Sequence, residues 1–329
     1  MDLIVRNVRL AGGPSPEPVD IGVAGGKIVA VAPGLVGANE AYDGGGRLAC
    51  AGLIETHIHL DKSRIIDRCP PEAERDITPM KQVAGLKHSF TLEDVRARAE
   101  RTLVECILNG ATRMRTQVEV DPAIGMRGFE GVQSLIADYQ WAIDIEICVF
   151  AQDGLINYPG TDELLVDGLR RGAGVIGGAP RYVPPHQVTI LARRLAEVGI
   201  AVTVLPATDL YLMGRDQDHN VRRGVADANF LVEHGVNCSL IRMANLHANV
   251  LQISSPVQLR ECFAMLTERS ARLLNLSNYG IAVGNPADIV VIDAATAEQA
   301  IAEIRPPLAV FKRGRRTVIR RPPELRRPL

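Results

Sequence analysis

The stretch Gly52-Leu-Ile-Glu-Thr-His57-Ile-His59-Leu-Asp61-Lys62 decides how this chain is read. It is an apolar run that closes on two histidines two positions apart, and the character of the chain changes there. Before it, Leu3–Val8, Val19–Val23 and Lys27–Val31 read as strands, the last two as a hairpin around Ala24-Gly-Gly. After it, strand-like runs at Gly52–Ile58, Ala111–Val120, Ile143–Phe150, Gly174–Gly178, Ile200–Leu205 and Val236–Leu240 alternate with helical stretches. Those stretches are Thr91–Asn109, Gly131–Ala142, Asp162–Arg171, Pro185–Gly199 and Val225–Gly235. Thr91 with Glu93 and Asp94 forms an N-terminal cap, and Gly110 closes the last turn. Helices between strands are the crossovers that parallel pairing needs.

Two further helices, Leu240–Ile253 and Pro256–Leu274, lead back to β structure at Ala287–Asp293, Leu308–Lys312 and Arg316–Arg320. The economical architecture is α/β: a TIM (β/α)8-type barrel over 51–283, with a small β-sandwich domain built from 1–50 and 284–329. The barrel is incomplete as counted. Eight strands are needed, six runs are found, and the sixth passes directly into a helix.

His57 and His59 lie on one face of a strand because side chains alternate with period two. At the C-terminal end of a barrel strand that face looks into the mouth, where barrel active sites form. Two neutral imidazoles there suit one divalent metal, Zn or Fe(II). Asp61 is placed to orient a ligand histidine or to cap the strand end. Other histidines read as ordinary residues: His88 on the surface, His186, His234 and His247 on helices. His219 follows the seventh-strand region and is a candidate for a substrate loop, while Asp209 reads as a local cap.

Composition narrows the class. The 329 residues include 37 basic and 38 acidic side chains with 47% hydrophobic content, so disorder is excluded. With no basic excess and only 6 Phe, 6 Tyr and 1 Trp, a nucleic-acid role has no support. The basic run from Lys312 through Arg327 reads as a solvated tail. No run reaches the ~18 apolar residues of a membrane span, and the N-terminus lacks a signal peptide's charge pattern. The six cysteines show no CxxC pair, as in a reducing compartment. A cytoplasmic protein with neither membrane nor nucleic-acid partner is expected.

These motifs together resemble the amidohydrolase superfamily, and within it the cytosine deaminase-like branch. The resemblance rests on the His57-Ile-His59-Leu-Asp61-Lys62 opening after a β segment and on Val149-Phe-Ala-Gln-Asp-Gly-Leu-Ile. It extends to Leu212-Met-Gly-Arg with Arg222-Arg-Gly, Ser270-Ala-Arg-Leu-Leu-Asn-Leu, and the run from Tyr279 to Ile292 containing Gly284-Asn-Pro-Ala-Asp. It implies that His57 and His59 ligate one metal and that Gln152 hydrogen-bonds the substrate's ring amide. It further implies hydrolytic deamination of a small nitrogen heterocycle by metal-activated hydroxide, in a homo-oligomer. Cytosine, isocytosine, pterin and aminotriazine types all fit.

The chain departs from the family pattern at two joints, near Tyr182–Pro184 and Ser239–Ile241. The family's strand-five and strand-six histidines and proton-shuttling glutamate have no counterpart at the first, and its strand-eight aspartate none at the second. Either the sequence skips segments at these joints, since a barrel missing two strands leaves edges exposed, or the pieces are lost, and the alternative is then a catalytically inactive amidohydrolase-like scaffold. Hydantoinase-type chemistry, which bridges two metals with a strand-four lysine, is disfavoured, because Gly174-Val-Ile-Gly-Gly-Ala-Pro offers no lysine.

Overall fold

In a computed structural model, residues 1–12, 17–68, 84–155, 158–178 and 238–324 are described. Strands β1 (Leu3–Leu10), β2 (Val19–Ala24), β3 (Lys27–Ala32) and β4 (Glu40–Ala51) open the chain. Strands β9 (Ile289–Ile292), β10 (Pro307–Lys312) and β11 (Arg315–Ile319) close it. Together they form one hydrogen-bonded seven-stranded sheet, in the order β11-β10-β9-β4-β1-β2-β3. The two ends of the chain thus build one sheet, joined where β4 pairs antiparallel with β9. Its core is Val5, Val8, Ile21, Ile289, Val291 and Phe311.

The sequence reading left β4 without a strand. Gly44, Gly45 and Gly46 interrupt its apolar pattern, and the latter two adopt φ of +60° and +76°. Its register with β1 shifts between Arg6 and Val8 at the same point. The glycines are a bulge within a strand, not a break between strands.

The chain then passes through Gly52 into a second, parallel sheet, β5 (Leu53–Ile58), β6 (Ala111–Glu119), β7 (Asp144–Ala151) and β8 (Val175–Gly178), paired in that order. Gly52 is needed for close approach, since a Cβ there would lie 1.8 Å from Thr112 Oγ1. Helices α1 (Leu92–Leu108), α2 (Arg127–Tyr139) and α3 (Thr161–Arg170) supply the crossovers. Thr91 caps α1 as its sequence predicts, accepting from the Asp94 backbone N–H. Val95, Ala99, Leu103 and Cys106 form the buried stripe of α1 at helical spacing, in one core with Phe129, Val132 and Leu135 of α2. The first four predicted barrel strands are therefore present, each pair parallel.

The fifth run, Ile200–Leu205, and the helices Pro185–Gly199 and Val225–Gly235 lie outside the described residues, as do His186, Asp209, His219 and His234. The sixth run is corrected in part. Cys238 and Ser239 are not in a strand, and Leu240 opens helix α4 (Leu240–Val250), capped by the Ser239 hydroxyl. The single helix expected over Pro256–Leu274 is two, α5 (Pro256–Ala264) and α6 (Glu268–Leu273). The break is at Thr267, whose backbone is non-helical (φ −129°, ψ −104°) and whose hydroxyl bonds back to the Phe263 carbonyl. A last short helix, α7 (Ala297–Ala302), precedes β10.

The expected solvated C-terminal run is corrected in part: Arg313, Arg315, Arg316 and Arg321 are exposed and 325–327 lie outside the described residues, but Lys312 is not solvated. Lys312 is 1% exposed. Its ammonium donates to the Thr112 carbonyl (3.0 Å), Asp144 (2.8 Å) and Asp288 (2.6 Å). Thr112 and Asp144 belong to the N-terminal ends of β6 and β7, so this lysine pins the terminal sheet to the edge opposite the candidate site. Arg315–Ile319 continues as strand β11. Among the described residues, no helix is long and apolar enough to cross a membrane.

Candidate active site

The C-terminal ends of β5, β6 and β7 deliver the polar groups. From β5 come His57, His59, Asp61 and Lys62; from β6, Glu119 and Asp121; from β7, Gln152 and Asp153. Parallel strands of similar length end at one level, so residues far apart in sequence converge there.

The two histidines stand together, their ring centroids 5.3 Å apart. His59 also lies edge-on to Phe150, at 5.1 Å. The strand is irregular at this point. Glu55 and Ile58 are three positions apart on β5, while their partners Met114 and Thr116 on β6 are two apart. The extra residue removes a ladder bond, and the Glu55 carboxylate replaces it by accepting from the His57 backbone N–H at 2.8 Å. Burial pushes the Glu55 carboxyl up to about 7, against the pull of the His57 and Thr56 amides.

Burial and the Lys62 ammonium lower the His57 pKa to about 4, and burial, Lys62 and His57 lower that of His59 well below its ordinary value. Both imidazoles are therefore neutral at pH 7, the form that ligates a metal. His59 Nδ1 is a buried atom without a hydrogen-bond partner, as is Asp61 Oδ1, 3.9 Å away. Asp61 is fixed by its other oxygen, which accepts from the Glu119 backbone N–H at 3.0 Å. Burial raises its carboxyl to about 6, with Lys62 opposing. A pair of neutral imidazoles, one backed by an oriented carboxylate, is a donor set that fits a divalent metal.

Beside it runs a chain of charges. Lys62 donates to Glu119 Oε2 (2.8 Å) and Gln152 Oε1 (3.3 Å). Lys87, 1% exposed, donates to Glu119 Oε1 (2.9 Å), Asp121 (2.5 Å) and Asp153 (2.8 Å). Burial would raise the Glu119 pKa, but the two lysines hold it at about 2. Burial likewise would lower that of Lys87, but bonds to Asp121, Asp153 and Glu119 raise it above the ordinary ammonium value. Carboxylate oxygens of Glu119, Asp121 and Asp153 come within 4.8 Å of one another, a spacing a cation can fill. The Lys87 ammonium already bonds to all three, so this cluster is a salt-bridge core and the histidine pair is the better candidate to hold a metal.

The structure thus brings His57, His59, Asp61 and Gln152 to one strand-end level. His88 is exposed, as expected, and His247 is a buried residue of α4. Sequence reasoning missed Glu119, Asp121, Asp153 and Lys87. The first two had a signal, since Val118-Glu-Val-Asp alternates acid and apolar at the end of a buried strand. Lys87 had none, coming from a short 3-10 turn, Lys87–Ser89, that no motif marks.

Residues 183–320 match the family described as Amidohydrolase family. The N-isopropylammelide isopropyl amidohydrolase of Pseudomonas sp. (strain ADP) is 24% identical over 390 residues, covering 95% of this chain and 96% of that protein. Among solved structures, 5-methylcytosine deaminase from Klebsiella pneumoniae, liganded with 5-fluorocytosine, superposes with TM-score 0.85 at 22% identity, covering 99% of both chains. Atrazine chlorohydrolase TrzN from Arthrobacter aurescens TC1, complexed with zinc, gives TM-score 0.65 at 17% identity, covering 96% of this chain and 95% of that one. The resemblance to the amidohydrolase superfamily and its cytosine deaminase-like members is borne out by these matches. The relatives matched are hydrolases and a deaminase, as the expected class would have them. The alignment to the Pseudomonas protein runs over 390 residues against the 329 of this chain, so at least 61 aligned positions face gaps here.

Proposed function

We propose that the chain is a metal-dependent amidohydrolase that deaminates a small nitrogen heterocycle of the cytosine, isocytosine, pterin or aminotriazine type. The observation that carries this is the paired, neutral His57 and His59 at the end of β5, level with Gln152 at the end of β7. On this reading 51–283 is a (β/α)8 barrel, and 1–50 with 284–329 is its companion β domain.

His57 and His59 would hold one Zn or Fe(II), and Asp61 would orient the His59 ring. Such a metal supplies, when bound, a hydroxide nucleophile near neutral pH. Gln152 hydrogen-bonds the ring edge and fixes its angle of presentation. Lys62 holds Gln152, Glu119 holds Lys62, and Lys87 holds Glu119. Phe150, between His59 and Lys62, is an apolar wall beside the ring.

The test is ammonia release by zinc- or iron-loaded protein from a panel of cytosine, isocytosine, a pterin and an amino-s-triazine. Turnover of at least one, lost in His57→Ala, supports the reading. Full metal loading with no turnover of any favours the second reading, an inactive scaffold, to which the 61 or more gapped positions point.

A further inference from the structure

We propose that Lys62 is a specificity-determining positioning residue, which orients Gln152 so that the site selects heterocycles that carry an oxo group, and not an amino group, at the contacted position. This rests on the heterocycle reading above.

A primary amide can lie either way round. Its oxygen accepts, its nitrogen donates, and on its own it accepts a ring N–H as readily as it donates to a ring carbonyl. An ammonium removes that choice, because it has three donors and no acceptor. Lys62 Nζ lies 3.3 Å from the Gln152 side chain, so the group turned toward it has to be the oxygen, and the N–H2 is turned away. The reversed amide would set donor against donor.

The lysine is itself fixed. Glu119 Oε2 accepts from it at 2.8 Å, and its ammonium lies 5.0 Å from the centre of the Phe150 ring. Glu119 is fixed in turn through its other oxygen by Lys87. Each link is buried or nearly so, where a charged hydrogen bond is hard to exchange for water. The orientation of one amide at the end of β7 is thereby set by charges at the ends of β5 and β6. A site built to donate rejects a ring that also donates there, since two facing N–H groups lose their water without gaining a partner.

The experiment is equilibrium binding and steady-state kinetics of metal-loaded protein with cytosine, whose position 2 carries an oxo group, and with 2,4-diaminopyrimidine, whose position 2 carries an amino group. Wild type is expected to prefer the oxo ring by about ten-fold or more, mainly in KM. In Lys62→Met, an uncharged side chain of similar length, that preference falls to about three-fold or less. Lys62→Arg, also a pure donor, retains it, and Gln152→Glu, a pure acceptor, reverses it. A folded Lys62→Met that keeps the wild-type preference overturns the proposal and leaves the heterocycle reading standing. The same holds if wild type prefers the amino ring. Should Lys62→Met not fold, loss of the preference in Lys62→Arg overturns it. Binding of neither ring by metal-loaded wild type overturns both.

Discussion

His59 Nδ1 faces Asp61 Oδ1 across 3.9 Å, and neither buried atom has a hydrogen-bond partner. The carboxylate is tethered by the Glu119 amide, so the ring has a fixed acceptor behind it as soon as its Nδ1 carries the proton. Asp61→Asn keeps the shape and weakens this backing. It is expected to lower metal affinity about 10–100-fold, measured by chelator competition, with the melting temperature of metal-free protein little changed. Unchanged affinity would show that Asp61 only caps the strand.

Lys87 is the cation of three carboxylates. Lys87→Met leaves Glu119, Asp121 and Asp153 facing one another around an uncharged side chain. Removing one partner of a buried ion pair costs about 3–5 kcal/mol, and that loss is expected in denaturant unfolding at pH 7.5. A loss below about 1 kcal/mol at pH 7.5 would place the cluster in open water.

Glu119 carries a pH signature of its own. Its carboxyl is held at about 2, below the unfolded value. The stability it contributes is therefore present above about pH 4.5 and is lost as pH falls through 2. Glu119→Gln is expected to destabilise the protein at pH 6 and to cost progressively less toward pH 2. A pH-independent difference between the two unfolding curves would contradict the ion pairs.

Glu55 has the opposite sign. Burial raises its carboxyl to about 7, so its folded form favours the proton. That contribution is fully present below about pH 4.5 and is lost as pH rises through 7. In metal-free protein, Glu55→Gln, which still accepts from the His57 N–H, is expected to match wild type near pH 4.5. Above pH 7 it should be more stable by up to about 3 kcal/mol. Equal stabilities at pH 8 would mean that Glu55 ionises freely.

What the sequence disclosed, and what it hid, follows from where each signal lives. Thr91 and its acidic first turn are local, and α1 begins where they say. His57 and His59 were legible as a pair two positions apart, but β5 ends at Ile58 with an irregularity between Glu55 and Ile58, so regular alternation is not what brings their rings together. β4 was hidden because its glycines carry the bulge that lets it follow β1. The break between α5 and α6 was hidden because Thr267 sits in an otherwise helical pattern, and its backbone is decided by packing. The charged core was hidden for a different reason. Lys62, Lys87, Glu119 and Asp153 are separated by 25 to 91 positions and meet only because β5, β6 and β7 end at one level. Lys312 shows the same limit. Among arginines and prolines it reads as tail, yet Asp144 and Asp288, distant in sequence, draw it inside.

The central claim, that His57 and His59 anchor a metal centre, is tested most directly by elemental analysis of purified protein whose intact mass has been verified. The account predicts about one zinc or iron per chain, retained through dialysis and lost in the double variant His57→Ala, His59→Ala, with folding preserved by circular dichroism. A folded wild-type chain that takes up neither metal, even when refolded in its presence, would contradict it.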